Sequence, residues 1–242
     1  MKKRTSLLTA FFMFILAFSS CNENELKESS VASEFENLVF SNNLNGEFEN
    51  FELILNSMNE RSGANDDAIS LALESYKKHL KKNGVYAFET TDFRKLRQNS
   101  SDSYNQLIKN MESELANMDS SLDKNEAKST AKSIIGKYNR IVSEGDFTNE
   151  EKIAISTIYN EYDSIYNFTV NLMGSSNGRT QFCWKRFWCF SAFMVGNAAV
   201  AAAVGATYCS FTGYGVAACA FGGIVVGAAS GYQLAQQLCP SC

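Results

Sequence analysis

Residues 181–242 contain only Lys185 and Arg186 among Asp, Glu, Lys and Arg, yet hold six of the seven cysteines. A stretch this poor in charge has to bury its apolar surface, against other protein or in a bilayer. Any fold the chain adopts must find a place for it. The charge is concentrated elsewhere: setting aside those two residues and Lys2, Lys3 and Arg4, 17 of the 22 basic and all 26 acidic residues lie in 21–180, a net of −9 there against −4 for the whole chain. A single histidine, His79, makes the commonest general base and a frequent metal ligand scarce, so histidine-based catalysis is disfavoured. The 242 residues suffice for one large domain or two small ones.

Within the uncharged segment, Phe190–Tyr208 and Val216–Gln236 are two apolar runs joined by Cys209-Ser210-Phe211-Thr212-Gly213-Tyr214-Gly215. Two helical runs around a glycine-containing polar connection predict an antiparallel helical hairpin. Cys183, Cys189, Cys209, Cys219, Cys239 and Cys242, an even set in an exported segment, read as three disulfides. In such a hairpin Cys209 and Cys219 lie near the turn and are expected to pair. Cys183 and Cys189 then pair with Cys239 and Cys242 across the open end. Cys239-Pro240-Ser241-Cys242 has the spacing of a thiol-redox motif without its βαβ setting, which favours structural pairing.

Gly215, Cys219, Gly223, Gly227 and Gly231 recur every four residues, and Ala198, Ala202 and Ala206 do the same on the first run. Stripes of small residues let helix backbones approach closely and favour association in membranes. Trp184 and Trp188 around Lys185 and Arg186 give the aromatic and cationic border of a membrane interface. Two readings remain open: a membrane-active hairpin, or a dry hairpin docked on the rest of the protein. Gly/Ala-rich, nearly uncharged and cysteine-dense, the segment resembles the C-terminal peptides of halocin-type bacteriocins, which implies a membrane-permeabilising toxin.

The other end of the chain carries an address. Met1-Lys2-Lys3-Arg4 is a charged start, and the apolar stretch from Leu7 to Phe18 is too short for the roughly 20 residues that span a bilayer. Phe18-Ser19-Ser20-Cys21 resembles a bacterial lipoprotein lipobox. The resemblance implies that 1–20 is a signal peptide and that Cys21 becomes the lipid-bearing first residue. The acidic tether over 21–30, with Glu23, Glu25 and Glu28, is similar to that of surface-exported lipoproteins, implying an outer-membrane or cell-surface location.

Between these ends, 31–173 has no Cys or Pro and few Gly. Apolar residues at helical spacing predict helices near 32–41, 47–60, 66–82, 101–119, 123–144 and 149–173. Ser101-Asp102 and Asn65-Asp66-Asp67 serve as helix starts, Thr148 to Glu151 has capping-box spacing, and Gly84 and Gly145 stand at expected C-caps. The tyrosine-rich stripe of Ile153, Ile158, Tyr162, Ile165, Tyr166, Phe168 and Leu172 reads as bundle core. His79, among Lys77, Lys78, Lys81 and Lys82, reads as solvated surface. The small, polar stretch 174–180 is a linker in which Arg179 offers a protease site.

The expected fold is all-α: a lipoprotein signal helix, an acidic multi-helix bundle and, over 181–242, a disulfide-stapled helical hairpin. No phosphate loop, nucleophile elbow, calcium loop or basic nucleic-acid groove is present, so neither an enzyme nor a cofactor or metal site is expected. The expected partner is a lipid bilayer, reached through the acyl anchor and the hairpin, and nucleic acid is not expected. The alternative is a non-catalytic lipoprotein whose bundle binds a protein partner, with the hairpin as a structural cap.

Overall fold

A computed structural model describes residues 38–62, 65–88, 100–119, 124–176, 183–212 and 215–240. Eight helices are described: α1 (Leu44–Ser62), α2 (Asn65–Lys82), α3 (Asp102–Ala116), α4 (Lys124–Glu144), α5 (Asn149–Asn160), α6 (Tyr162–Ser176), α7 (Trp184–Thr212) and α8 (Val216–Leu238). The all-α multi-helix fold expected from the sequence is thus the observed one. Val39–Cys242 forms one compact unit.

Local signals account for several helix ends. Ser101 caps α3 by accepting from the Tyr104 amide, and Asn43 precedes α1 with its side-chain oxygen accepting from the Gly46 amide at 2.7 Å. At α5 the capping box is complete: Thr148 Oγ1 accepts from the Glu151 amide at 3.1 Å, while the Glu151 carboxylate accepts from the Thr148 amide at 3.0 Å. Gly84 ends α2 with φ of 87°, the left-handed conformation a side chain resists. Its amide bonds the Lys81 carbonyl and the Val85 amide reaches back to Leu80, the paired bonds of a Schellman ending.

Three details depart from the sequence expectations. Residues 38–41 are not helical, and 32–37 of that expected helix lie outside the described residues. The helix expected over 149–173 is broken at Glu161, a turn residue with φ −99° and ψ 14° between α5 and α6. Gly145 follows α4 without positive φ; its amide bonds the Ile141 carbonyl, and a Cβ there would crowd that oxygen and the Phe147 ring.

The hairpin lies inside the bundle. α7 packs on α3, α5 and α6, and α8 packs on α1, α2 and α5, so those five helices form a sheath around the pair. α4 stands outside, against α3 and α5. The amphipathic stripes of the sheath turn inward: Phe51, Ile54, Tyr76, Leu80, Ile108 and Ile158 are each fully buried. Of the tyrosine-rich stripe, all but Ile153 are buried, as bundle core requires.

The closest packing in the molecule is between α7 and α8. A Cβ placed on Gly223, Gly227 or Gly231 would collide with the backbone carbonyl of Ala201, Asn197 or Phe193, and one on Gly205 with that of Cys219. The partners that would be struck are backbone atoms, which cannot swing aside. Gly215, at the α8 N-cap, meets only Ala218 Cβ at 4.0 Å. Gly227→Ala is therefore expected to lose about 1–3 kcal/mol to overpacking, beyond the roughly 1 kcal/mol that Ala ordinarily gains over Gly in a helix. Gly215→Ala should cost about 0.5 kcal/mol or less, the usual limit for a site with no tight neighbours. Urea denaturation of the two variants checks this, and equal midpoints would refute the tight seam.

Candidate functional site

The site the sequence singles out is the hairpin with its border and staples. Cys209 pairs with Cys219 at the turn, Cα atoms 6.2 Å apart, and Cys189 pairs with Cys239 across the open end at 5.8 Å. Both spacings suit a disulfide. Cys183 is also disulfide-bonded; Cys242, expected to pair across the same end, lies outside the described residues, as do Cys21 and Arg179. The two described bridges join the hairpin to itself.

The hairpin is also held together by the seam and by Phe190 against Tyr232, edge to face at 5.1 Å. Gly223, Gly227 and Gly231 all face inward along this seam. Trp188 is not at a border: it is buried against Phe187 and stacked on Trp184 with centroids 5.8 Å apart. Trp184 is half-buried and Lys185 exposed, while the Arg186 guanidinium lies 5.1 Å from the Phe190 ring centroid. Of the Trp/Lys/Arg border expected from the sequence, Lys185 is exposed, Trp184 and Arg186 are half-buried, and Trp188 is buried in this folded form.

Single hydrogen bonds join hairpin and sheath at separate points. Tyr104 Oη donates to the Ala199 carbonyl at 3.3 Å, Tyr232 Oη to the Leu172 carbonyl at 3.4 Å, and Gln233 Nε2 to Ser70 Oγ at 2.6 Å. Where α6 meets the start of α7, several groups are worse served. Tyr162 and Tyr166 Oη, Trp188 Nε1 and Ser191 Oγ are buried without a hydrogen-bond partner. Tyr162 and Ser191 face each other there, yet neither hydroxyl attains bonding geometry. Each unmade bond of this kind costs about 1–3 kcal/mol. Burial pushes the Tyr162 phenol well above its ordinary range and raises that of Tyr166, so both stay neutral.

Two carboxylates organise the sheath, and nothing in their local sequence marks either as buried. Glu151 of the capping box is 3% exposed and also accepts from the Ser101 amide at 2.9 Å, so one side chain serves the starts of α3 and α5. Glu47 is fully buried between α1 and α2, accepting from the Ser41 amide, Asn50 Nδ2 and the Tyr76 hydroxyl. Burial raises its pKa, and those bonds partly oppose the rise.

His79 corrects the surface reading: it is 5% exposed, beside the Phe40 and Tyr76 rings, with Nε2 buried and unpartnered. The missed signal is its place three residues after Tyr76 on the buried stripe of Ile69, Ala72, Leu73 and Leu80. Burial first, and the Lys82 charge second, lower its pKa to about 4 from the usual 6.5. Above pH 6.5 the ring is neutral folded or unfolded; between about 6.5 and 4 only the unfolded chain takes the proton, so stability falls as pH falls through that window. Glu47, with its raised pKa, acts in the opposite sense. His79→Phe should therefore flatten the acid-side loss of stability in urea titrations at stepped pH; an unchanged slope would place the effect elsewhere.

Fold and site define a class: an acidic helical sheath closed around an apolar hairpin stapled to itself. No family model, curated protein or solved structure matches the chain.

Proposed function

We propose that the chain is a lipid-anchored surface lipoprotein whose hairpin is a membrane-active, bacteriocin-like toxin element, carried inside the bundle until it meets a bilayer. The observation that supports this reading most is the placement of the staples: the described disulfides and the backbone seam bind α7 to α8, whereas side-chain packing and isolated hydrogen bonds bind the pair to the sheath. Such a hairpin can leave as a unit. Its helices have 29 and 23 residues, so about 43 and 34 Å at 1.5 Å per residue, against a hydrocarbon core of about 30 Å. In the proposed scheme Cys21 bears the acyl chains that hold the protein at the outer membrane or cell surface.

Oxidised 181–242 is expected to release dye from vesicles at micromolar concentration and to inhibit growth of sensitive cells. The intact chain should release less, because its hairpin is covered. Absence of both leakage and growth inhibition would sink the toxin reading. Intact mass before and after reduction reports, in the same preparation, whether Cys21 is acylated.

One observation favours a second reading. The apolar window of α7 is 89% buried inside the bundle, as the core helix of a non-catalytic, partner-binding lipoprotein would be. That reading makes the isolated hairpin inert. Unfolding on deletion of 181–242 follows from either, since the sheath would lose the surface it closes on.

A further inference from the structure

Helix α4 is the part of the bundle that the hairpin does not explain. It packs on α3 and α5, outside the sheath's contact with α7 and α8. Its sequence carries five basic residues and two acidic ones, within the region of net charge −9. Lys132, Ser133, Lys137, Arg140 and Ile141 line a groove along its outer face with Tyr159 of α5. Spacings of three and four residues keep them on one side of the helix. Gly136 makes the groove: the Tyr159 ring lies where a side chain would stand, with a Cβ only 3.0 Å from its edge.

The cations are available at this surface. Arg140 and Lys137 are exposed, and Lys132 is half-buried. Lys137 pairs with Glu114 at 2.5 Å and Lys132 with Asp163 at 3.5 Å, carboxylates brought in from α3 and α6. Exposed pairs of this kind are weak and exchange readily for another anion. Ile141, 42% exposed between these charges, adds an apolar contact. A bundle with net negative charge is repelled by an anionic bilayer except where its sign is locally reversed.

We infer that the outer face of α4 docks the bundle on the anionic phospholipid headgroups of a bilayer. Lys132, Lys137 and Arg140 meet the lipid phosphates, the Ser133 hydroxyl donates to a phosphate oxygen, and Ile141 enters the headgroup–acyl boundary. The choice of a bilayer as occupant rests on the membrane-active reading above. The docking itself leaves the hairpin covered, because α4 is on the outside of the sheath.

The test uses the full chain carrying Cys21→Ser, so that no acyl anchor contributes, sedimented with phosphatidylglycerol/phosphatidylcholine vesicles and with phosphatidylcholine alone. A cation near an anionic membrane surface contributes about fivefold, so K132Q/K137Q/R140Q should weaken binding to the anionic vesicles about a hundredfold at low salt. K132R/K137R should retain it. K78Q/K81Q/K82Q removes the same charge from α2 and should change binding far less. Equal loss in that second triple variant, equal binding to neutral vesicles, or displacement by inorganic phosphate at matched ionic strength would each overturn the assignment. Dye leakage measured in parallel separates the two ideas: retained, α4-dependent binding without leakage would count against the toxin and leave the docking face standing.

Discussion

The backbone-to-backbone contact of α7 with α8 is the constraint on which the rest of the structure depends. Because Gly223, Gly227 and Gly231 present no side chains, the helices approach until one backbone touches the other. Glycine is a poor helix former in water, so such a helix persists only where packing compensates. Once the seam is closed, small residues are used up on the inner side and the remaining apolar surface of both helices points outward. That surface needs cover, and α1, α2, α3, α5 and α6 provide it with their amphipathic stripes. The order of dependence therefore runs from glycine spacing to hairpin, and from hairpin to sheath.

The division of polar groups follows the same order. Asn197, near the middle of α7, bonds the Phe193 carbonyl through Nδ2 at 2.8 Å, and Thr207 Oγ1 bonds the Ala203 carbonyl at 2.8 Å. These side chains are satisfied within their own helix. The sheath keeps its buried acids satisfied too: Glu151 at two helix starts, Glu47 by an amide, an amide side chain and a phenol. Of the buried groups left without a partner, Tyr162, Tyr166, Arg186, Trp188 and Ser191 belong to α6 and the start of α7, while His79 and Asn139 belong to α2 and α4.

Much of this was legible in the sequence because it is local. The Ser101 cap, the capping-box spacing of Thr148 to Glu151 and the Gly84 ending act over four or five residues, and each stands where the sequence predicts it, whereas Gly145 does not adopt the left-handed ending. The Cys209–Cys219 pairing followed from hairpin geometry alone. The break at Glu161 was not legible, since no Gly or Pro interrupts the apolar phase from Ile155 through Ile158 to Tyr162. Nor was the destination of the hairpin. Alanine and glycine stripes suit a bilayer and a protein interior equally, because both are dry, and only the assembled sheath distinguishes them. His79 was misread for a related reason: four neighbouring lysines dominate the local composition, while burial is decided by helical phase relative to Tyr76 and Leu80.

In the proposed transfer of the hairpin from sheath to bilayer, the hairpin and the sheath fare differently. The hairpin's apolar surface moves from one dry medium to another, so its own hydrophobic term nearly cancels, but the stripes of the sheath that close on it lose their cover. Asn197 and Thr207 carry their bonds with them. The bonds given up would include those of Tyr104 to Ala199, Tyr232 to Leu172 and Gln233 to Ser70, each worth about 0.5–1.5 kcal/mol net. Against this, the sheath side of the α6–α7 contact regains water for the Tyr162 and Tyr166 hydroxyls. Lys185 and Arg186 sit beside the Cys189–Cys239 bridge at the open end. For the proposed insertion, cations at one end and a charge-free turn at the other would let both helices cross together, with the turn leading. The cost of the proposed transfer therefore falls on the sheath, whose amphipathic stripes close on the hairpin and would need new cover once it left.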